Sequence, residues 1–215
     1  ELLKLHARYG YLSMSQLERF GLAARKSLYR ALKPLLSGKA TLLGAINYGF
    51  APGCPKAERL TYLTQRGIEV LKNIPPSLWV PPNEFRFPKG HTPTITSDRN
   101  HREATVDFFI SWDRYAQRHG IETQVSTYYD FRPAPTKSKK NRIISANHIE
   151  LPSDRFFVPD LILANRFSDA HHAPQLFFVE VSHQSKDTGY ILRQIDRHKR
   201  AVDRLDQLIT RQPET

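Results

Sequence analysis

The stretch 74–93, IPPSLWVPPNEFRFPKGHTP, does most to decide how this chain can be organised, because it holds six of the 15 prolines. Each proline removes a backbone donor and biases its predecessor toward extended geometry, so neither a helix nor a central strand can run through it. Leu78, Trp79, Val80, Phe85 and Phe87 make it too apolar for a free linker. The expectation is an extended strap at a domain boundary. The 215 residues are thus expected to divide into a module over 1–73, a proline-rich linker over 74–96 and a module over 97–215. A chain of this length can bury a real core.

Charge is unevenly spread between those parts. The net charge is +11; residues 1–72 carry 12 Lys/Arg against four Glu, a net +8, and the other 143 residues add only +3. Such asymmetry is the footprint of a module that meets polyanions. Apolar residues at 40 % and charged residues at 25 % exclude a disordered chain. The single cysteine, Cys54, excludes an internal disulfide or a cysteine-based zinc site and fits a reducing cytoplasm. No apolar run is long enough to cross a bilayer and no signal peptide is visible, so no membrane insertion is expected. The chain opens on Glu1 rather than Met, as expected of an internal fragment or a trimmed chain.

In the first module, residues 2–10, 15–20 and 25–37 read as helices. Ser13 or Ser15 can cap the second and Gly21 can end it. Leu28, Leu32 and Leu35 form one apolar stripe of the third helix, and Lys26, Tyr29, Arg30 and Lys33 form the opposite face, with Arg25 at its start. Pro34 predicts a kink or an end nearby. Two short strands around a loop follow, then a helix capped by Thr64. Three helices with a two-stranded wing make a winged helix, whose third helix lies in the DNA major groove. The stretch LTYLTQRGIEVL resembles the second wing strand and closing helix of many bacterial winged-helix proteins. The alternative is a protein-interaction module.

The second module reads as helix (100–118), strand (IETQVSTYYDF), strand (VPDLILA), strand (QLFFVEV) and a long helix. Ile191, Ile195, Val202, Leu205 and Leu208 lie on that helix's apolar side. This order indicates an α/β layer, within a chain that is α+β overall. It is also the core order of restriction-endonuclease-like nucleases, whose signature is Pro-Asp and then Asp/Glu-x-Lys on the next strand. Pro159-Asp160 and Glu180-Val181-Ser182 match except at the lysine.

Asp160 and Glu180, with the Val181 carbonyl, could hold one Mg²⁺ or Mn²⁺, because such ions want hard oxygen ligands and keep several waters. Ser182 hydrogen-bonds but supplies no positive charge, so Lys186 and Lys199 are the candidates for a displaced cation. Glu103, on the face shared with Val106 and Ile110, is a candidate helper or further ligand. Gln194 and His198 are spaced as in the Q-x-x-x-Y element of some relatives of this fold. Tyr128, Tyr129 and Tyr190 are nucleophile candidates that nothing ranks. Lys137, Lys139, Lys140 and Arg142 sit in an acid-free loop that is either a phosphate strap or plain loop. His171-His172 reads as surface. The bland reading of the carboxylates is a turn aspartate and a solvated strand-end glutamate.

On YLTQRG, NHREATVDF, FVPDLILA and FFVEVS, the chain resembles the replication-relaxation family, a bacterial winged helix followed by a restriction-endonuclease-like domain. The resemblance implies a conjugative relaxase: a metal-dependent nickase acting on duplex and locally melted DNA at a plasmid or integrative-element transfer origin. Other relaxosome proteins and a type IV coupling protein are then implied as partners, and the bacterial cytoplasm as the location. The family commonly has an acid where Ser182 stands, and often a lysine and a tyrosine at Gln194 and His198. Two alternatives stand beside the relaxase: a catalytically inactive DNA-binding replication, mobilisation or transcription factor, and a restriction-type nuclease cutting both strands.

Overall fold

Local signals build the first elements. Residues Leu2–Tyr9 form α1, and Gly10, at φ 75°, ends it with its N–H on the His6 carbonyl. The strand β1 (Tyr11–Ser13) follows at once. Ser13 then caps α2 (Met14–Arg19): its hydroxyl accepts from the Gln16 N–H, and the Gln16 side chain accepts from the Ser13 N–H. Ser15 instead bonds to Glu58 through both N–H and hydroxyl. The helix α3 (Arg25–Leu36) buries Leu28 and Leu32 and stops two residues after Pro34. The strands β2 (Leu43–Ile46) and β3 (Leu60–Leu63) pair antiparallel, and β1 joins the other side of β3, giving the order β1-β3-β2. That third strand was not anticipated, because three residues between two helices are too few for alternation to show.

Thr64 caps α4 (Gln65–Lys72) by accepting from the Gly67 N–H, while its own hydroxyl lies 3.0 Å from the Leu42 carbonyl. A Cβ at Gly67 would lie 2.3 Å from that same carbonyl oxygen. The Thr-Gln-Arg-Gly run is therefore set by a cap and a close backbone approach, independently of any ligand.

This computed structural model describes residues 1–37, 41–47, 58–75, 99–133, 143–151, 155–167, 173–182 and 188–202. The chain divides into two compact units, 1–111 and 112–215. The division falls inside α5 (Arg99–Arg118), not in the proline-rich stretch, most of which lies outside the described residues. The first half of α5 belongs to the first unit: Phe109 packs edge-on against Tyr9, Asp107 accepts from Gln16 and Arg19, and the Arg102 guanidinium lies over the Tyr11 ring.

His6 lies in the core of this unit, 1 % exposed. Its Nδ1 donates to the Leu2 carbonyl at 2.7 Å, and its Nε2 lies 2.7 Å from the Thr61 hydroxyl, which also reaches the Leu12 carbonyl at 3.0 Å. Burial pushes the imidazole down to about 4 from 6.5, with the Leu2 bond opposing. The folded state thus keeps His6 neutral in a range where the unfolded chain protonates it. Stability is fully present above pH 6.5 and falls as pH drops toward 4, by up to about 3 kcal/mol. Urea midpoints against pH should show this slope, and His6→Gln should flatten it; an unchanged slope would remove His6 as its cause.

The second unit holds β4 (Ile121–Thr127), β5 (Phe131–Pro133), β6 (Ile143–Ser145), β7 (Ile149–Leu151), β8 (Arg155–Phe157), β9 (Leu161–Phe167), β10 (Gln175–Val179) and α6 (Thr188–Val202). Its main sheet is antiparallel throughout, in the order β10-β9-β4. The pairs β5–β6 and β7–β8 are separate two-stranded sheets, additions to the three expected strands. Leu161 and Leu163 of β9 are buried, while Ile162 and Phe178 pack against Ile149, Leu151, Phe157 and Ala201.

Ala201 is the small residue through which α6 docks on this cluster. Among the described residues the apolar side of α6 stays open: Ile191, Leu192, Ile195 and Val202 are 48–60 % exposed. Leu205 and Leu208 lie outside the described residues. The described chain is therefore a mixed α/β protein with small sheets.

Candidate functional site

The pairing of β9 with β10 brings two carboxylates to one end of the sheet. Leu161 faces Val179 in the antiparallel register, so one step further out Asp160 faces Glu180. Asp160 is only 6 % exposed, and its Oδ2 accepts from the Val181 N–H at 2.7 Å. Its carbonyl accepts from the Tyr128 N–H at the end of β4.

Asn147 fixes the same corner from below and is fully buried. Its side-chain amide points at the carbonyls of Pro159 (2.9 Å), Ser126 (3.3 Å) and Asp160 (3.4 Å). Sequence reasoning missed this residue. Nothing but an asparagine between two short strands signals it, and its partners lie 12 to 21 residues away.

From α6, Tyr190, Gln194 and His198 fall four residues apart on one stripe. Gln194 donates to the Tyr190 hydroxyl at 3.0 Å, and its Oε1 is buried with no hydrogen-bond partner among the described residues. His198 Nε2 lies 3.7 Å from Glu180 Oε1, and its ring stands edge-on to Phe157. Burial pushes the His198 imidazole below its ordinary value, and the negative charge of Asp160 opposes that shift. Asp160, Glu180 and His198 thus share one corner.

The other candidates are spread more widely. Val181 is half-buried beside Asp160, and Ser182 is exposed just beyond it. Lys199 is exposed on α6, in a shallow groove with Ile195, His198 and Val202. Tyr128 is half-buried, and Tyr129 is 3 % exposed, edge-on to it. Glu103 belongs to the first unit, where it pairs with Arg99 at 3.0 Å. Lys186, His171, His172, Lys137, Lys139, Lys140 and Arg142 lie outside the described residues.

Two adjacent carboxylates offer the hard oxygen donors that Mg²⁺ or Mn²⁺ takes, so the residues fit such an ion. Among the described residues no group of three or more His, Cys, Asp or Glu is arranged to hold a metal. The ion would therefore depend on the carboxylate pair, a backbone carbonyl and water.

On the first unit, α3 exposes Lys26, Tyr29, Arg30 and Lys33 on one face. None of the three cations forms a salt bridge among the described residues, and α3 itself contains no acid. Arg25 is different. It is held by Glu18 at 2.6 Å and by Glu58, whose hydrogen bonds raise the guanidinium further above its ordinary value. Burial works to raise Glu58, but its bonds from Ser15 and Arg25 outweigh this and hold the carboxyl below its usual value. Arg25 thus anchors α3 to its neighbours.

No helix among the described residues is long and apolar enough to cross a membrane. No family model, curated protein or solved structure matches the chain.

Proposed function

We propose that this protein is a metal-dependent DNA nickase of the conjugative-relaxase kind. One observation carries the reading: antiparallel pairing sets Asp160 beside Glu180 at a sheet end, with His198 of α6 over them. The Pro-Asp and Glu-x-Ser residues that resemble a nuclease signature are thus neighbours in space, as that chemistry needs. Asp160 and Glu180 would hold Mg²⁺ or Mn²⁺, and a bound ion supplies Lewis acidity toward a phosphate oxygen and a more acidic water. The Val181 N–H fixes the Asp160 carboxylate, and Asn147 fixes the backbone beneath it.

The DNA partner is supported by α3. Its order among α1, β1, α2, β2 and β3, together with the β1-β3-β2 sheet, supports a winged-helix reading in which α3 is the groove-reading element. Lys26, Arg30 and Lys33 would meet phosphates and base edges of the duplex. Transfer-origin DNA, relaxosome proteins, a coupling protein and a cytoplasmic location belong to this proposal through the resemblance alone.

Ser182 favours a second reading, a DNA-binding accessory factor without cleavage, because the motif lysine is absent and Lys199 is turned to solvent. One assay separates the readings. Supercoiled plasmid carrying a transfer origin is incubated with the protein and Mn²⁺. The nickase yields open circles that a chelator suppresses, linear product indicates a restriction-type enzyme, and intact plasmid with duplex binding retained indicates the accessory factor. In parallel, Lys26→Ala/Arg30→Ala/Lys33→Ala should weaken duplex binding and lower the salt slope of log K by about 2 to 3. An unchanged slope would remove α3 as the DNA contact.

A further inference from the structure

A chain of rings runs along the surface of the second unit. Phe177 of β10 lies 6.1 Å from Trp112, Trp112 lies 5.5 Å from Tyr115, and Tyr115 lies 4.3 Å from His119. Phe177 is 40 % exposed and Tyr115 48 %. Trp112 is held in place: its indole N–H donates to the Thr123 hydroxyl, which donates to the buried Asn165 side chain of β9. The ladder is therefore anchored to the sheet while its outer rings meet water.

On the described helical segment beside it the exposed charges have one sign. On residues 112–118 the exposed charged groups are Arg114 and Arg118, and the sole carboxylate, Asp113, is 2 % exposed. Strand alternation sends Glu122 to the face of the sheet opposite Phe177. Exposed rings with Arg118 three residues on from Tyr115, and no exposed acid on that helical segment, match a strand that offers unpaired bases to the rings and phosphates to the arginine. A protein or lipid partner would fit the rings but would gain less from the arginine.

We infer that Phe177, Trp112, Tyr115 and His119, flanked by Arg118, form a stacking surface for single-stranded DNA. The surface stands independently of the nicking reading; only the choice of DNA over RNA rests on it.

The test uses the full chain, with fluorescence anisotropy of labelled oligothymidylate, oligouridylate and a duplex. Tyr115→Leu should weaken oligothymidylate binding about tenfold, while Tyr115→Phe keeps it, because stacking needs a ring and not merely apolar bulk. Arg118→Glu should weaken it independently, and urea midpoints should match wild type in all three. Duplex binding through α3 should be unchanged. Absence of oligothymidylate binding by the wild type, wild-type affinity in Tyr115→Leu, or tighter binding of oligouridylate would each overturn the assignment. Loss of duplex binding in the α3 variant has no bearing on this surface, so the two readings fail separately.

Discussion

In the proposed nickase, Asp160→Ala and Glu180→Ala are each expected to lower the rate of Mn²⁺-dependent nicking by about 10³-fold or more, the scale of losing a principal charge-stabilising group. Only the first should also loosen the fold. Asp160 is 6 % exposed and accepts the Val181 N–H, so its removal leaves that donor without its carboxylate and costs about 1–3 kcal/mol. Glu180 is half-buried, with His198 3.7 Å away, and its loss should leave the urea midpoint near wild type. The pair therefore separates the proposed function from stability: both variants should lose nicking, and one should also be destabilised. A Glu180→Ala protein that nicks normally would remove the carboxylate pair from the mechanism. Equal destabilisation by both would show that the Val181 bond has no special weight.

Replacing Asn147 should do damage of a different kind. Leucine is close in size but cannot donate, so Asn147→Leu takes donors away from the Pro159, Ser126 and Asp160 carbonyls in a fully buried position. Losing donors to several buried carbonyls costs about 3 kcal/mol. Asn147→Asp should be worse, because it sets a buried negative charge against carbonyl oxygens. Urea denaturation of the three proteins orders them wild type, leucine, aspartate. An Asn147→Leu protein as stable as wild type would mean that the Tyr128 N–H alone holds the Asp160 backbone.

What was legible in the chain was local. Helical spacing marked α1, α3 and α4, the Thr64 cap could be read directly, and two short apolar runs gave β9 and β10. What escaped was set by distant partners. Arg25 reads as a groove cation until Glu18 and Glu58, seven and 33 residues away, are seen to hold it. The first half of α5 reads as part of the second module, yet Asp107 reaches back 91 residues to Gln16. The apolar stripe of α6 was plain, but docking uses the neighbouring stripe, because small Ala201 fits the Ile149, Leu151 and Phe157 cluster while Ile191 and Ile195 remain outside. Asn147 could not have been found without the fold. The proximity of Asp160 and Glu180 was legible because both lie at strand ends, where register converts sequence into proximity.

That register has a consequence for how the corner can change over time. Asp160 meets Glu180 because strand residues pair step by step, from Asn165 and Gln175 to Leu161 and Val179. Insertions or deletions in the connection between the two strands alter its length while leaving the carboxylates opposed. A single residue gained or lost within either strand instead slides the ladder by one place and turns the apolar residues to the wrong face. Tolerance and intolerance to indels should therefore lie within a few residues of each other, divided at the strand ends.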